Sequence, residues 1–126
     1  MPNNEPLPGW HVRVAQVAEA DLNEIIDHFI QLDEIDHAAD IVDAFSMAKE
    51  DLETLPLRAH FTHELQEMGI YSHREVHFNV YRVIFRINED LGEVQIDAIL
   101  DGRRDVAQIL TNRLLRIPEG DSNTSL

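Results

Sequence analysis

Trp10, Val12 and Val14 alternate with His11, Arg13 and Ala15, and this period of two predicts a first strand. From Ala18 the period lengthens. Leu22, Ile25, Ile26, Phe29 and Ile30 recur at helical spacing, with Asp21, Asn23, Glu24 and Asp27 on or near the other face. After Asp33 a second helical run follows, with Ile35, Ala38, Ala39, Val42, Phe45, Ala48 and Leu52 as its apolar stripe and Asp36, Asp40, Asp43 and Lys49 facing out. Pro56 ends it. The link between the two runs is short, so the helices are expected to pair antiparallel and lay a common apolar face on a sheet.

Residues 57–71 show no sustained period and contain Gly69, which reads as an irregular connection with a short helical turn around His63 to Met68. Three β-rich runs follow: Arg74 to Phe78, Tyr81 to Ile87 and Val94 to Leu100. Joined by Asn79-Val80 and by Asn88 to Gly92, they make an antiparallel meander. On the middle run, Tyr81, Val83, Phe85 and Ile87 share one face and Arg82, Ile84 and Arg86 the other. Asp101-Gly102 breaks the last strand, and Val106, Ile109, Leu110, Leu114 and Ile117 space a closing helix that stops before Pro118. The order is β-α-α-β-β-β-α, an α+β domain over residues 10–117. Residues 1–9 read as a flexible lead-in and residues 118–126 as a polar tail.

A chain of 126 residues holds one hydrophobic core comfortably. No apolar run approaches the roughly 20 residues of a membrane span and no signal pattern opens the chain, so a cytoplasmic location is expected. With no cysteine there is no thiolate nucleophile, disulfide framework or cysteine-based metal site. The net charge of -14 is uneven. Residues 1–53 carry 13 acidic against 2 basic side chains, whereas residues 54–126 carry 11 against 8, and all eight are arginines. Such acidity argues against nonspecific nucleic-acid binding, which rests on basic side chains neutralising phosphates.

Several local sequences occur in an informative order. Leu55-Pro56-Leu57-Arg58, then His60 and His63-Glu64-Leu65, then Gly69-Ile70 and Arg74-Glu75-Val76, precede Tyr81-Arg82-Val83-Ile84-Phe85 and Ala98-Ile99-Leu100-Asp101-Gly102-Arg103-Arg104-Asp105. From Leu55 through Leu115 this resembles the RelE/ParE superfamily of bacterial toxins, with Ala59 standing where the family usually has Gly. Residues 10–54 match in pattern alone. The resemblance implies a RelE/ParE-like fold and a cognate antitoxin partner. It also implies one of two targets: DNA gyrase for ParE-like members, or messenger RNA cut at the ribosome without metal for RelE-like members.

Metal-free RNA cleavage needs a base, a cation against the phosphate and an acid for the leaving oxygen. Arg74, Arg82 and Arg104 stand at positions matching the nuclease's basic residues. Glu75 and His77 occupy the strand where a second basic residue is expected, and Val106, Ile109 and Leu110 occupy the helix where Tyr is expected. This favours the ParE-like branch, in which Arg58, Arg74, Tyr81, Arg82, Arg86, Arg103 and Arg104 contact target or antitoxin, over a nuclease with Arg74, Arg82 and Arg104 as catalysts. A third reading, a non-toxic interaction domain of this fold, fits the acidity. The plainer reading of Arg82 and Arg86 is solvation of the sheet's outer face; that of Arg103 and Arg104 is pairing with Asp101 and Asp105.

Seven histidines raise the question of metal. His60-x-x-His63-Glu64 lacks the order of a helical zinc motif, and His73 and His77, four apart on a strand, stand about 13 Å apart. No metal and no cofactor are expected. The remaining picture is a platform backed by two helices, with a guanidinium cluster on its uncovered side and an apolar groove for an antitoxin segment.

Overall fold

The computed structural model describes residues 9–115. The expected lead-in (apart from Gly9), the polar tail and the end of the closing helix with Ile117 lie outside the described residues. In chain order the elements are β1 (His11–Val14), α1 (Gln16–Gln31), α2 (Ile35–Thr54), a 3-10 turn (Pro56–Arg58), β2 (His60–Phe61), α3 (His63–Gln66), β3 (Arg74–Phe78), β4 (Tyr81–Asn88), β5 (Glu93–Asp101) and α4 (Val106–Leu110), continued by a π-helical turn (Thr111–Leu115). Among the described residues no helix is long and apolar enough to cross a membrane.

β3, β4 and β5 form the expected antiparallel meander, with Phe78 opposite Tyr81 across the first turn and Asn88 opposite Glu93 across the second. Asn79 (φ 51°) and Gly92 (φ 64°) supply the left-handed backbone those turns require. Two strands extend the meander into a five-stranded sheet of order β1-β5-β4-β3-β2. β1 joins parallel to β5, Val12 opposite Val94. β2 joins antiparallel to β3, His60 opposite Glu75. It corrects the irregular reading of residues 57–71: two residues are too few to show a period, whereas the helical turn at His63 is present.

α1 and α2 pair as expected and cover one face of the sheet. Their link is a C-terminal Schellman arrangement in which the Glu34 N–H donates to Phe29 O (2.8 Å) and the Asp33 N–H to Ile30 O (2.9 Å). Asp33 holds φ 61° there, a position usually taken by Gly. The stripe that α2 buries is Ala38, Ile41, Phe45, Ala48 and Leu52; Ile35, Ala39 and Val42 are exposed. This corrects the expected stripe by about one residue, because both Ile41 and Val42 satisfy helical spacing and the docking angle on the sheet selects Ile41. On α1 only Ala18 is fully buried, with Leu22, Ile25, Ile26 and Phe29 half-covered against the core between hairpin and sheet.

The opposite face is not uncovered. Leu65 of α3 and Val106 and Leu110 of α4 pack on Ile84, Ala98 and Leu100, forming a second, smaller core. A β-bulge between Ile84 and Phe85 makes it possible: Ile84 pairs with Ala98 but Phe85 with Ile96, leaving Asp97 as the extra residue. Val94, Ile96 and Ile99 therefore face the helical hairpin while Ala98 and Leu100 face α4. Unbroken alternation would have put residues 94, 96, 98 and 100 on one side.

Candidate functional site

Each arginine singled out in the sequence has a definite place, and the structure separates them. Arg82 lies on the face covered by α3 and α4, its side chain only 14% exposed. Its Nε and Nη2 donate to Glu75 (2.9 and 2.8 Å) and its Nη1 and Nη2 to Glu64 (2.8 and 2.6 Å). Two carboxylates thus occupy the fork. The Arg82 bonds hold Glu64 below its usual pKa; for Glu75, burial pushes the value up, and hydrogen bonds from Arg82 and His77 outweigh it. Gly102 lies against this stem, where an added Cβ would come 3.1 Å from Arg82 Cδ.

Arg74 pairs with Phe85 across the ladder, so its strand position belongs to the hairpin-facing side, opposite to Arg82. Its Nη1 donates to Ala59 O (2.7 Å) and Leu57 O (3.3 Å), and its guanidinium stands 4.2 Å from the Phe61 ring centroid. It ties the 3-10 turn and β2 to the sheet. Arg86 meets Asp97 (3.2 Å) and stays half-exposed. Arg103 pairs with Asp101 (2.6 Å), and its hydrogen bonds hold the Asp101 pKa down at about 2. Arg58 is exposed on the 3-10 turn. The single guanidinium cluster expected on an uncovered face is therefore not formed.

Tyr81 and Arg104 line one groove. A groove of about 380 Å³ between α1 and the ends of β4 and β5 is lined by Asp21, Glu24, Ile25, His28, Phe29, Tyr81, Ile99, Asp101 and Arg104. Phe29, Ile25 and Ile99 make its floor apolar, and the carboxylates rim it. Tyr81 is nearly buried; desolvation, aided by the Asp101 charge, raises its pKa. Arg104 is exposed and makes no ion pair among the described residues. A larger concavity of about 580 Å³ at the β4–β5 turn, between Arg13, Arg86, Glu89 and Asp90, is polar and open.

Sequence reasoning missed three polar groups. Asp21, placed by periodicity on the outer face of α1, accepts from the Ile99 backbone N–H (3.0 Å) and from Arg113 Nη1 (2.6 Å). It caps β5 where β1 no longer covers it. Asp97, the bulge residue, is buried and accepts from His73 Nε2 (3.0 Å), Gln95 Nε2 (2.8 Å) and the charge of Arg86. Burial pushes its pKa up, and these partners pull it below the usual carboxylate value. His73, also buried, reaches across β4 to it, with Nδ1 2.7 Å from Ser72 Oγ. A bulge residue has no periodicity signature, so this pairing was hidden.

A five-stranded sheet with a helical hairpin on one face and a short closing helix on the other is the fold of a small class of bacterial toxins. The chain resembles a solved chromosomal ParDE toxin-antitoxin system from P. aeruginosa (TM-score 0.57, 21% identity, 71% of this chain and 92% of that one). It also resembles a RelBE toxin-antitoxin complex from Mycobacterium tuberculosis (TM-score 0.53, 19% identity, 78% of this chain and 97% of that one). No curated protein matches in sequence. The family model described as the ParE toxin of the type II toxin-antitoxin system parDE matches residues 12–106, and the chain belongs to that family.

Proposed function

We propose that this protein is a ParE-like toxin that acts by binding a protein target, DNA gyrase, and is neutralised by a cognate antitoxin. One observation carries the choice of branch. The cations that an RNA-cleaving toxin would gather round a phosphate are dispersed: Arg82 is saturated by Glu64 and Glu75 under α3, Arg74 belongs to the other face, and Arg104 lies at the α1 groove. A phosphate approaching Arg82 would meet two carboxylates already in place. The acidic net charge points the same way, since it opposes approach to ribosomal RNA.

The α1 groove is the surface offered to protein partners. Its apolar floor and carboxylate rim suit a segment with apolar anchors and basic flanks, and the exposed Arg104 guanidinium supplies a donor at its edge.

Expression of the toxin alone in a bacterial host is expected to induce a DNA-damage response and filamentation, and the purified protein to inhibit gyrase supercoiling. Co-expression of the antitoxin restores growth. Rapid arrest of translation with truncated messages would assign the RelE-like nuclease instead; a harmless protein would assign a non-toxic domain of this fold. Arg104→Glu should weaken the growth defect at least tenfold in inducer titration while leaving the folded state intact, because Arg104 is exposed.

A further inference from the structure

At the free edge of the sheet, away from the α1 groove, three side chains with metal-binding atoms converge. His60 on β2 stands directly opposite Glu75 on β3, and His77 follows Glu75 by two positions on the same face. One ligand atom of each lies within 4.8 Å of the other two. The rings of His60 and His77 are 5.5 Å apart and nearly perpendicular, edge to face. His77 Nε2 is 2.5 Å from Glu75 Oε2, so the imidazole donates to the carboxylate and both groups could ligate a cation.

We propose that His60, Glu75 and His77 form a binding site for one divalent transition-metal ion of the zinc type. Two imidazoles and one carboxylate are the donor set of zinc and its neighbours, not of calcium or magnesium, which take oxygen ligands. Zinc bonds of about 2.0–2.2 Å to nitrogen and oxygen put tetrahedral ligand atoms about 3.4 Å apart. His77 Nε2 and Glu75 Oε2 must part by roughly 0.9 Å and any wider pair close by roughly 1.5 Å at most, shifts that the exposed imidazole side chains can make by turning about their side-chain torsions. The ion replaces the proton between His77 and Glu75, which passes to the other ring nitrogen of His77. Solvent supplies the fourth position.

Two features show preparation beyond proximity. His60 Nδ1 faces the Phe61 carbonyl at 3.0 Å; a carbonyl only accepts, so Nδ1 carries the proton and the Nε2 lone pair is left for a ligand bond. Glu75 is 2% exposed and its carboxylate is clamped by Arg82, the outer support that ligating carboxylates have. The charge is also favourable. Glu64 and Glu75 share the single guanidinium of Arg82, leaving one negative charge that faces the two imidazoles. The site stands independently of the toxin reading.

The test is calorimetric titration of the untagged, chelator-stripped full-length protein with zinc chloride. Saturation at one zinc per chain is expected. His60→Ala and His77→Ala should each weaken binding by more than the roughly 10- to 100-fold that loss of an outer-shell partner causes, whereas His63→Ala should leave it unchanged. Imidazole NMR spectra of the wild-type protein give a readout without mutation: zinc should move the His60 and His77 resonances and not that of buried His73. No uptake by the wild-type protein, unweakened binding in the His60→Ala and His77→Ala variants, or zinc-induced shifts confined to other histidines would each overturn the proposal.

Discussion

At the scale of single residues, Arg82 shows how a family signature changes meaning once its neighbours are known. In sequence it reads as a candidate catalyst; in the fold it neutralises Glu75, which is otherwise buried beneath α3. Arg82→Ala should therefore lower stability by about 3–5 kcal/mol in urea unfolding, because removing one partner strands a buried charge. Loss of toxicity in that variant would report misfolding rather than chemistry. A double variant, Glu75→Leu with Arg82→Met, should recover part of the loss, since it removes the buried Glu75 charge and leaves only the part-exposed Glu64 without its guanidinium. Thr62 makes the opposite case. Its hydroxyl is fully buried and has no hydrogen-bond partner among the described residues, so the isosteric Thr62→Val should be neutral or stabilising by up to about 1 kcal/mol in the same assay. A loss above that range would reveal a bond to the hydroxyl.

At the scale of elements, legibility depended on length and on exposure to one environment. α1, α2 and the three strands of the meander were readable because each repeats its apolar positions several times over. β2 was not, since two residues carry no period. The break in β5 was hidden for another reason: Asp97 is an unpaired bulge residue within an otherwise alternating run, and only its pairing with Ile84 and Phe85 reveals it. The hairpin link offers a direct check. Asp33 bears a side chain at φ 61°, so Asp33→Gly should raise stability by up to about 1 kcal/mol, read as a higher urea midpoint at unchanged slope. A lower midpoint would mean that the Asp33 side chain contributes more than the strain it bears.

At the scale of the molecule, four carboxylates with depressed pKa values respond to acid: Asp101, held at about 2 by Arg103, and three others. Glu64, Glu75 and Asp97 all hold folded pKa values below their ordinary ones through Arg82, His77, His73, Gln95 and Arg86. Their unfolded values are about 4.3 for Glu and 3.9 for Asp, so the stability they contribute is present above about pH 5. It drains away as pH falls through the depressed folded values. The melting temperature should accordingly be level from pH 7 to about pH 5 and drop steeply below pH 4. In the Arg82→Ala variant that acid drop should be shallower, because Glu64 and Glu75 lose the partner that depresses them.

Hydrophobic periodicity determined by itself that this chain folds as an α+β domain, because elements long enough to repeat their pattern encode their own type, and the order of its motifs carried the resemblance to the RelE/ParE superfamily. Which arginines are free, which carboxylates are buried and which histidines meet was decided by tertiary structure alone. Those facts depend on strand register, on one bulge and on which helix covers which face, and they join residues such as His60 with His77, or Asp21 with Arg113, that no local spacing relates.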